Sequence, residues 1–380
     1  MNFAIRNGQV YDPKIGKTLT RDLFLVNGRL SEKPETVSSA PVLDIDASGC
    51  FITPGLIDYH THYFYQGSEN GVVPDASSFC MGITTAVDGG TAGTGSFELF
   101  HNTIMARSSV RLCSYLLVAS GGQSNDRYPE NLDPRYFDEE KILEFFQRYP
   151  QELVGLKTRI SKNIISSPDL ARASLKRTVE IAEKAHTRVI VHITDCTLSL
   201  DELATFLRPG DVICHIYQNR GEHTCLDSKG KVLPGLWEAK KRGILFDASN
   251  GRSNFDLVTA QKAIAQGFLP DIISSDNNQS SWFLPPLYSL PRILSKYREF
   301  GMSWEAILDR STRNPARLIG RPELGILQEG TTADLVIWKQ EQKNVDYTDI
   351  NGNHLEGHEV LVPQMTFKEG KCVYCQADFL

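Results

Sequence analysis

Eight short apolar runs alternate with longer segments through the middle of this 380-residue chain, and this rhythm constrains its fold more than any other feature. Some of the separating segments are amphipathic, as in DLARASLKRTVEIAEKAH. Continuous apolar strands followed by helices predict a parallel sheet that is covered on its outer face. Eight such units predict closure into a (β/α)8 barrel of the TIM type, an α/β fold that needs roughly 250 residues. The eight runs are ITPGLIDYHTH, ITTAVDGG, VRLCSYLLVAS, LVGLKTRI, TRVIVHITD, DVICHIYQN, GILFDASNG and PDIISSDNN.

The two ends of the chain have a different texture, with short strand-like stretches and turns. FAIRNGQVYD and LFLVNGRLSEK each carry an Asn-Gly turn signal, and ADLVIWK and MTFKEGKCVY are strand-like near the other end. Chain termini often lie close together. We therefore expect residues 1–51 and 321–380 to form one small composite β domain, a β-sandwich, beside a barrel of residues 52–320.

Composition narrows the partners. The net charge is −6 and no long basic stretch occurs, which argues against nucleic acid or an anionic membrane as a partner. The first residues lack the pattern of a signal peptide, and no apolar run reaches the ~20 residues that span a bilayer. Eight cysteines spread over a long chain do not resemble a disulfide scaffold. We expect a cytoplasmic protein that acts on a small molecule, and a homo-oligomer is compatible with the sequence.

Metal-binding residue types stand where the predicted strands end. His60 and His62 end the first run, and residues two apart on a strand point to the same side. The fifth and sixth runs end near His192 and His215, and the eighth ends at Asp276. In such barrels the active site gathers at the carboxyl ends of the strands. Imidazole and carboxylate groups suit zinc and similar ions, so the sequence predicts a metal site there.

Lys157 lies inside the fourth run, GLKTRI, where a lone ammonium is costly to bury. If its amine takes up carbon dioxide, it becomes an anionic carbamate that can bridge two cations. Taken singly, each candidate has a plainer explanation: a buried histidine is usually hydrogen-bonded core, and Asp276 could be a helix cap after Ser274 and Ser275. Six such coincidences at matching strand ends favour the metal interpretation.

These motifs resemble the amidohydrolase superfamily, and the resemblance runs over nearly the whole chain. Within it the chain looks most like a dihydroorotase-like subgroup of deacetylases. The carrying segments are ITPGLIDYHTH, GLKTRI, VIVHITD, DVICHIYQN, IISSDN, NPARLIG and LGILQEGTTADLVIW, and for the subgroup GITTAVDGGTAG, LRPGDVICH, RGILFDASNG and GFLPDIISSD.

The resemblance implies two divalent ions, typically zinc, bridged by carboxylated Lys157. It implies hydrolysis of an amide or ester bond of a small acylated acid by a hydroxide held between the ions. The family tends to have a His-rich stretch after the sixth strand, where this chain has HIYQNRG, and a histidine where Asn250 stands. Both departures bear on the substrate rather than the metal. The implied ligands are His60, His62 and Asp276 for the first ion and His192 and His215 for the second.

Several residues are candidates for catalysis or substrate contact. Asp276 is the candidate acid–base group, which takes the water proton and passes it to the leaving atom. Arg159 lies two residues after Lys157 and could bind a substrate carboxylate, although a structural ion pair explains it equally well. Gly90 and Thr91 follow the second strand, where substrate could approach the backbone, and Asn250 lies near the expected pocket. The role of His223 stays open.

Three alternatives remain. A cyclic-amide hydrolase such as a dihydroorotase typically has an Arg shortly after His-x-His, where this chain reads HTHYFYQ. A mononuclear deaminase lacks the barrel lysine and uses a Glu after the fifth-strand histidine, where this chain has Asp195. A non-catalytic relative usually loses metal ligands, and all six stand here.

Overall fold

Strands form two groups in the computed structural model, which describes residues 2–31, 42–125, 127–286, 289–377 and 379. One group comes from the two chain ends, and the other from the middle of the chain. In chain order the strands are β1 (Asn2–Arg6), β2 (Gln9–Asp12), β3 (Lys17–Thr20), β4 (Leu23–Val26), β5 (Arg29–Ser31), β6 (Val42–Asp46), β7 (Phe51–Pro54), β8 (Leu56–Thr61), β9 (Ile83–Asp88), β10 (Arg111–Leu117), β11 (Leu153–Arg159), β12 (Arg188–His192), β13 (Val212–Cys214), β14 (Leu245–Asp247), β15 (Leu335–Thr348), β16 (His354–Lys368) and β17 (Lys371–Cys375).

The chain ends build two sheets that pack on each other. One has the order β5-β4-β1-β6, and the other has the order β17-β16-β15-β7-β2-β3, so it joins strands from both ends. The two sheets share one apolar core, in which the rings of Phe3 and Phe367 meet edge to face at 5.0 Å. The strand-like stretches at both chain ends predicted that the two ends would form one small β domain. The domain limits at residues 51/52 and 320/321 stay a prediction.

The middle of the chain forms a parallel sheet of seven strands in the order β14-β13-β12-β11-β10-β9-β8. These are the first seven predicted apolar runs. The eighth run forms only single parallel bridges, from Ile272 to Asp247 of β14 and from Asn277 to Thr61 of β8. Its backbone still bonds to both edges, since Ala248 N donates to Ile272 O and His62 N donates to Asn277 O.

Helices follow each strand of the parallel sheet and the eighth run. The longest, α4, begins after Ser167, whose hydroxyl accepts a hydrogen bond from Leu170 N, and Pro168 fills its first turn. Lys184 lies in its last turn, where the helix dipole favours a cation. In chain order the helices are α1 (Pro74–Ser78), α2 (Phe97–Thr103), α3 (Glu139–Arg148), α4 (Pro168–Lys184), α5 (Leu200–Phe206), α6 (Pro234–Lys241), α7 (Leu257–Ala265), α8 (Leu290–Glu299), α9 (Trp304–Asp309) and α10 (Arg313–Leu318).

The main apolar core lies between the parallel sheet and the helices that cover it. The strands are buried on both faces, so β8 and β9 are buried along their whole length. This explains why they read as continuous apolar runs rather than alternating ones. Within the described ranges, no helix has both the length and the apolar character needed to cross a bilayer.

Candidate metal centre

Six buried side chains meet where the parallel strands end. They are the six that the sequence predicted as ligands, and each is at most 9% exposed. His60, Lys157 and His192 lie on β8, β11 and β12, and the others follow strand ends. Their relative exposures are 1% for His60, 7% for His62, 1% for Lys157, 9% for His192, 1% for His215 and 4% for Asp276.

Asp276 lies close to the two histidines at the end of β8. Its Oδ1 lies 3.2 Å from His62 Nε2 and 3.7 Å from His60 Nε2. One ligand atom from each of these three residues lies within 4.8 Å of the others, so the group could hold a metal ion. This is a His₂-carboxylate set of the kind that binds zinc in catalytic sites.

A second pair of imidazoles adjoins this group. The rings of His192 and His215 have centroids 4.5 Å apart, and the rings of His60 and His215 are 5.2 Å apart. All four rings therefore face one small volume. Four imidazoles around this volume could supply the ligands of more than one ion.

The amine of Lys157 lies next to His60 of the first group and next to Cys214, which directly precedes His215 of the second pair. Its Nζ lies 3.4 Å from His60 Nε2 and 3.6 Å from Cys214 Sγ. In the described part of the chain no carboxylate oxygen lies within the 4.0 Å of this amine that would make an ion pair. A buried ammonium without a paired anion is unfavourable, and carboxylation of the amine would remove that cost.

Hydrogen bonds fix the orientation of the rings. His62 Nδ1 lies 2.7 Å from Thr91 Oγ1, which in turn donates to Asp88 Oδ2 at 2.9 Å. His215 Nδ1 lies 2.8 Å from the carbonyl oxygen of Ser249. Because Nδ1 is engaged in each case, Nε2 is the nitrogen left for the cavity. Partners of this kind usually orient metal-binding histidines.

Burial keeps three of the imidazoles neutral, as metal binding requires. Burial, with the Lys157 charge second for His60 and the His215 charge second for His192, lowers the pKa of both histidines well below 6.5. Burial also lowers the pKa of His215 to about 4. For Asp276, burial opposes ionisation, but the hydrogen bond with His62 and the electrostatic interaction with the neighbouring histidines outweigh it and lower the pKa of the carboxyl.

Three glycines leave space for the ligands. A Cβ on Gly89 would lie 2.4 Å from His60 Nε2, and one on Gly251 would lie 2.3 Å from Asp276 Oδ2. Gly90 has φ +92°, and a Cβ there would lie 2.6 Å from Lys157 Cβ. Any larger residue at these three positions would collide with a ligand or its stem.

Backbone strain is concentrated at the same place. His215 has φ 64° and Asp276 has φ 55°, and Ser249, which contacts His215, has φ 34°. Non-glycine residues seldom adopt these values and persist in them only when the surroundings enforce it. The strained turns aim the side chains into the cavity at the carboxyl ends of the strands.

A cavity of about 320 Å³ opens above the six side chains. Every described residue that lines it is polar or charged, so it suits a small hydrophilic molecule. Its lining consists of His60, His62, Asn70, Gln123, Lys157, Arg159, Ser161, Asn163, His192, Thr194, Asp195, His215, Arg220, Ser253, Asn254, Asp276, Asn278 and Ser280.

The candidate substrate residues divide into two groups. Arg159 lines the cavity and also donates to Glu130 Oε1 at 2.6 Å, so the ion pair and the cavity position coexist. Gly90, Thr91 and Asn250 are not among the lining residues that the structure describes. Gly90 packs on the Lys157 stem and Thr91 bonds to His62, so both lie nearer the ligands than the expected substrate.

Asn250 and His223 also lie away from the cavity. Asn250 is fully buried, donates to Ser274 O at 3.0 Å and accepts a hydrogen bond from Lys296 Nζ at 2.9 Å. His223 offers its carbonyl oxygen to Gln218 Nε2 at 2.9 Å. Neither is among the described residues of the cavity lining.

Sequence reasoning missed four residues around the centre. Cys214, one position before His215, forms a further possible ligand group with His60 and His215. Burial raises the pKa of its thiol to about 12, which disfavours the thiolate that binds metals. The others, Asp88, Asp247 and Ser249, act through hydrogen bonds. Asp88, Asp247 and Ser249 could have been identified from the sequence as polar residues at the ends of the second and seventh runs.

The residues present fit divalent metal ions. The donor set is imidazole plus carboxylate, ligand atoms of His60, His62 and Asp276 lie within 4.8 Å of one another, and the adjoining glycines clear space beside the donor residues. Two ions would account for four imidazoles, one carboxylate and a lysine with no anion within 4.0 Å in the described ranges.

The chain is similar to several known proteins over most of its length. Residues 51–373 match the model of the Amidohydrolase family. A deacetylase of Agrobacterium fabrum is 31% identical over 311 residues, which cover 81% of this chain and 75% of that protein. A deacetylase of Enterococcus faecalis is 25% identical over 376 residues, which cover 97% of this chain and 98% of that protein.

Solved structures share the fold over nearly the whole chain. A dihydroorotase matches with a TM-score of 0.88 at 25% identity, covering 99% of this chain and 98% of its own. An adenine deaminase matches with a TM-score of 0.89 at 24% identity, covering 98% and 99% respectively, and that likeness shows the fold alone.

Proposed function

Because this chain belongs to the amidohydrolase family and is a hydrolytic enzyme of the kind that acts on C–N bonds, we propose that it is a binuclear deacylase. In this proposal it cleaves the amide or ester bond of a small acylated acid. The observation that carries the proposal is the convergence of four buried imidazoles, one carboxylate and one buried lysine on a polar cavity. The proposed ligands are His60, His62, Lys157, His192, His215 and Asp276.

We infer that Lys157 is carboxylated and lies between two ions, with zinc the expected metal. The amine approaches His60 of the first set, and the ring of His215, from the second set, lies beside that of His60. A carbamate there would replace an unpaired buried cation by an anion next to two cations. When bound, the ions supply Lewis-acid polarisation of a carbonyl and lower the pKa of a water molecule.

The chain's own groups supply the remaining chemistry. Asp276 is ionised and accepts the proton of the attacking water through one oxygen, while Asn254 Nδ2 donates to its Oδ2 at 2.8 Å and holds the other. Asp276 then returns the proton to the leaving nitrogen or oxygen. Arg159 faces the same cavity and can receive a substrate carboxylate, with Glu130 holding the guanidinium in place.

The cavity supports a small and polar substrate. Its volume is about 320 Å³ and its described lining holds no apolar residue. A large aromatic or aliphatic acyl group would find little apolar surface there, and an acetyl group needs little. We therefore place acetylated amino acids and acetylated hydroxy acids ahead of bulkier acyl compounds.

A cyclic-amide hydrolase is the second candidate, because a dihydroorotase structure matches nearly the whole chain. The residues after His62 do not support it. Tyr63 bonds Ser78 through its hydroxyl and Phe64 packs on Phe100, so neither offers a cation to a substrate carboxylate. This favours the deacylase proposal.

The parallel sheet also supports closure into an eight-stranded barrel. The eighth run bridges both edge strands, β8 and β14, and is followed by α8 as the other strands are followed by helices. A closed barrel would bring Asp276 opposite Lys157, which the proposed site requires.

A substrate screen tests the proposed function. Zinc-loaded protein with bicarbonate is incubated with N-acetyl amino acids, acetylated hydroxy acids and dihydroorotate. We expect release of acetate from at least one acetylated acid, and Asp276→Asn protein should release far less. Ring opening of dihydroorotate without acetate release would contradict the deacylase proposal and favour the cyclic-amide hydrolase.

A further inference from the structure

We infer that Ser249 is a positioning residue that links the two ion subsites. This inference rests on the binuclear site proposed above. Ser249 follows β14 by two residues and is fully buried. It contacts one histidine from each proposed ligand set, His60 through its hydroxyl and His215 through its carbonyl oxygen.

The hydroxyl decides which nitrogen of His60 faces the cavity. Ser249 Oγ donates to Asp247 Oδ2 at 2.6 Å, and the same carboxyl group also accepts from the Ser249 amide and the Ser274 hydroxyl. The single hydroxyl proton of Ser249 is thereby used, so its Oγ accepts at the 3.0 Å contact with His60 Nδ1. With the proton on Nδ1, the Nε2 of neutral His60 carries no proton, so its lone pair is free to bind a metal ion.

The carbonyl oxygen of Ser249 similarly decides which nitrogen of His215, in the second ligand set, faces the cavity. Histidine Nδ1 is the donor in any bond to a carbonyl, so the 2.8 Å contact from His215 Nδ1 to Ser249 O fixes that ring too. Two anchors hold Ser249 itself. Its backbone N donates to Asp247 Oδ1 at 3.0 Å, and Ser274 Oγ, which contacts both oxygens of Asp247, lies 3.3 Å from the Ser249 hydroxyl.

His62, which follows β8, has a similar hydrogen-bond anchor, but that anchor contacts only one of the described histidine ligands. Thr91 Oγ1 donates to Asp88 Oδ2 at 2.9 Å and lies 2.7 Å from His62 Nδ1. No other described ligand is bonded to the side chain of Thr91. Thr91 therefore provides an internal comparison, because its loss should disturb the first subsite only, whereas loss of Ser249 should disturb both.

Zinc titration of the metal-depleted protein in bicarbonate, followed by calorimetry, tests this link. We expect the wild type to bind two ions. Ser249→Ala removes the partner of His60 Nδ1 and one of the two hydrogen bonds to Asp247 that hold the Ser249 carbonyl oxygen beside His215. It should weaken the ion at His60 by roughly 10–100-fold, the usual effect of removing a partner of a metal-binding histidine, and the ion at His215 by more than about threefold. Thr91→Val should weaken one ion by a similar factor and leave the other within about threefold.

Ser311→Ala is the matched control, because among the described residues the buried Ser311 hydroxyl contacts only the carbonyl oxygens of Ile307 and Leu308. It should keep both affinities. If Ser249→Ala does not fold, Ser249→Cys keeps the size with a much weaker hydrogen-bonding group, and the same loss is expected. Weakening of one ion alone, or of neither, in the Ser249 variant would overturn the link while leaving the proposed function intact. A wild type that binds no zinc would overturn both.

Discussion

At the scale of single residues, the chemistry depends on neighbours that are distant in sequence. The candidate ligands stand out in the sequence because histidine, lysine and aspartate are unusual at the ends of buried strands, and the structure brings them together. The roles of the residues that orient them do not stand out. Ser249 contacts His60 across 189 positions of sequence, and only the assembled parallel sheet brings the two together. A serine in a turn carries no sign of this role.

Replacing Asp276 by Asn separates its two roles. The change keeps the shape and one ligand oxygen but removes the base, so we predict that kcat falls by roughly 10²-fold or more while zinc content falls little. Zinc content and kcat are measured on the same preparation. Activity that recovers in excess zinc would mean that Asp276 acts as a ligand only, and near-normal kcat at full zinc occupancy would end the catalytic assignment.

Replacing Lys157 by Ala tests the bridging role. Without the carbamate the two subsites lose their shared ligand, so we predict loss of both metal and activity. A short carboxylic acid such as acetate or propionate should restore part of each by occupying the vacated space. Cys214→Ser is a suitable control, because Cys214 also contacts the Lys157 amine but is not a proposed ligand. Normal metal content and activity in Lys157→Ala would refute the bridge.

At the scale of elements, the loop after β9 shows how a turn can serve the metal centre. Gly90 and Gly210 have nearly the same backbone angle, with φ of +92° and +90°. Alanine at either position is strained by about 1–2 kcal/mol. At Gly90 the added Cβ also lies 2.6 Å from Lys157 Cβ, whereas at Gly210 it meets nothing within 4 Å.

These two glycines form a matched pair of variants. We predict that Gly90→Ala and Gly210→Ala both lower the free energy of unfolding, because both adopt a left-handed angle. Gly90→Ala alone should also lower zinc content, since it displaces the lysine stem. Urea unfolding and metal analysis are run on both proteins. Equal zinc content in the two variants would show that the space beside Lys157 is not needed.

The fold was largely predictable at this scale, with two instructive exceptions. Asn27-Gly28 makes the β4–β5 hairpin that its sequence predicts, but Asn7-Gly8 carries the chain from β1 in one sheet to β2 in the other. An Asn-Gly turn specifies a local bend, and long-range pairing decides the partner strand. The eighth run forms bridges rather than a full strand, and Asp276 at its end has the strained φ of 55°.

At the scale of the whole molecule, metal binding should stabilise the fold. The ligands come from β8, β11, β12 and the segments after β8, β13 and β14, so the complete site exists only when the sheet is assembled. Zinc at about 100 times its dissociation constant should add about 2.7 kcal/mol per independent site to the free energy of unfolding. Urea unfolding with and without zinc measures this. An unchanged midpoint would argue that no ion binds the folded protein preferentially.

The zinc content of the purified protein tests the central claim most directly. Protein is loaded with zinc in bicarbonate, freed of loosely held metal by gel filtration, and analysed for zinc per chain by elemental mass spectrometry. His192→Ala, which removes a ligand of the proposed second subsite, is analysed beside it. A binuclear centre predicts close to two zinc ions per chain in the wild type and about one in the variant. A wild-type value of one or less, unchanged by bicarbonate, would contradict it.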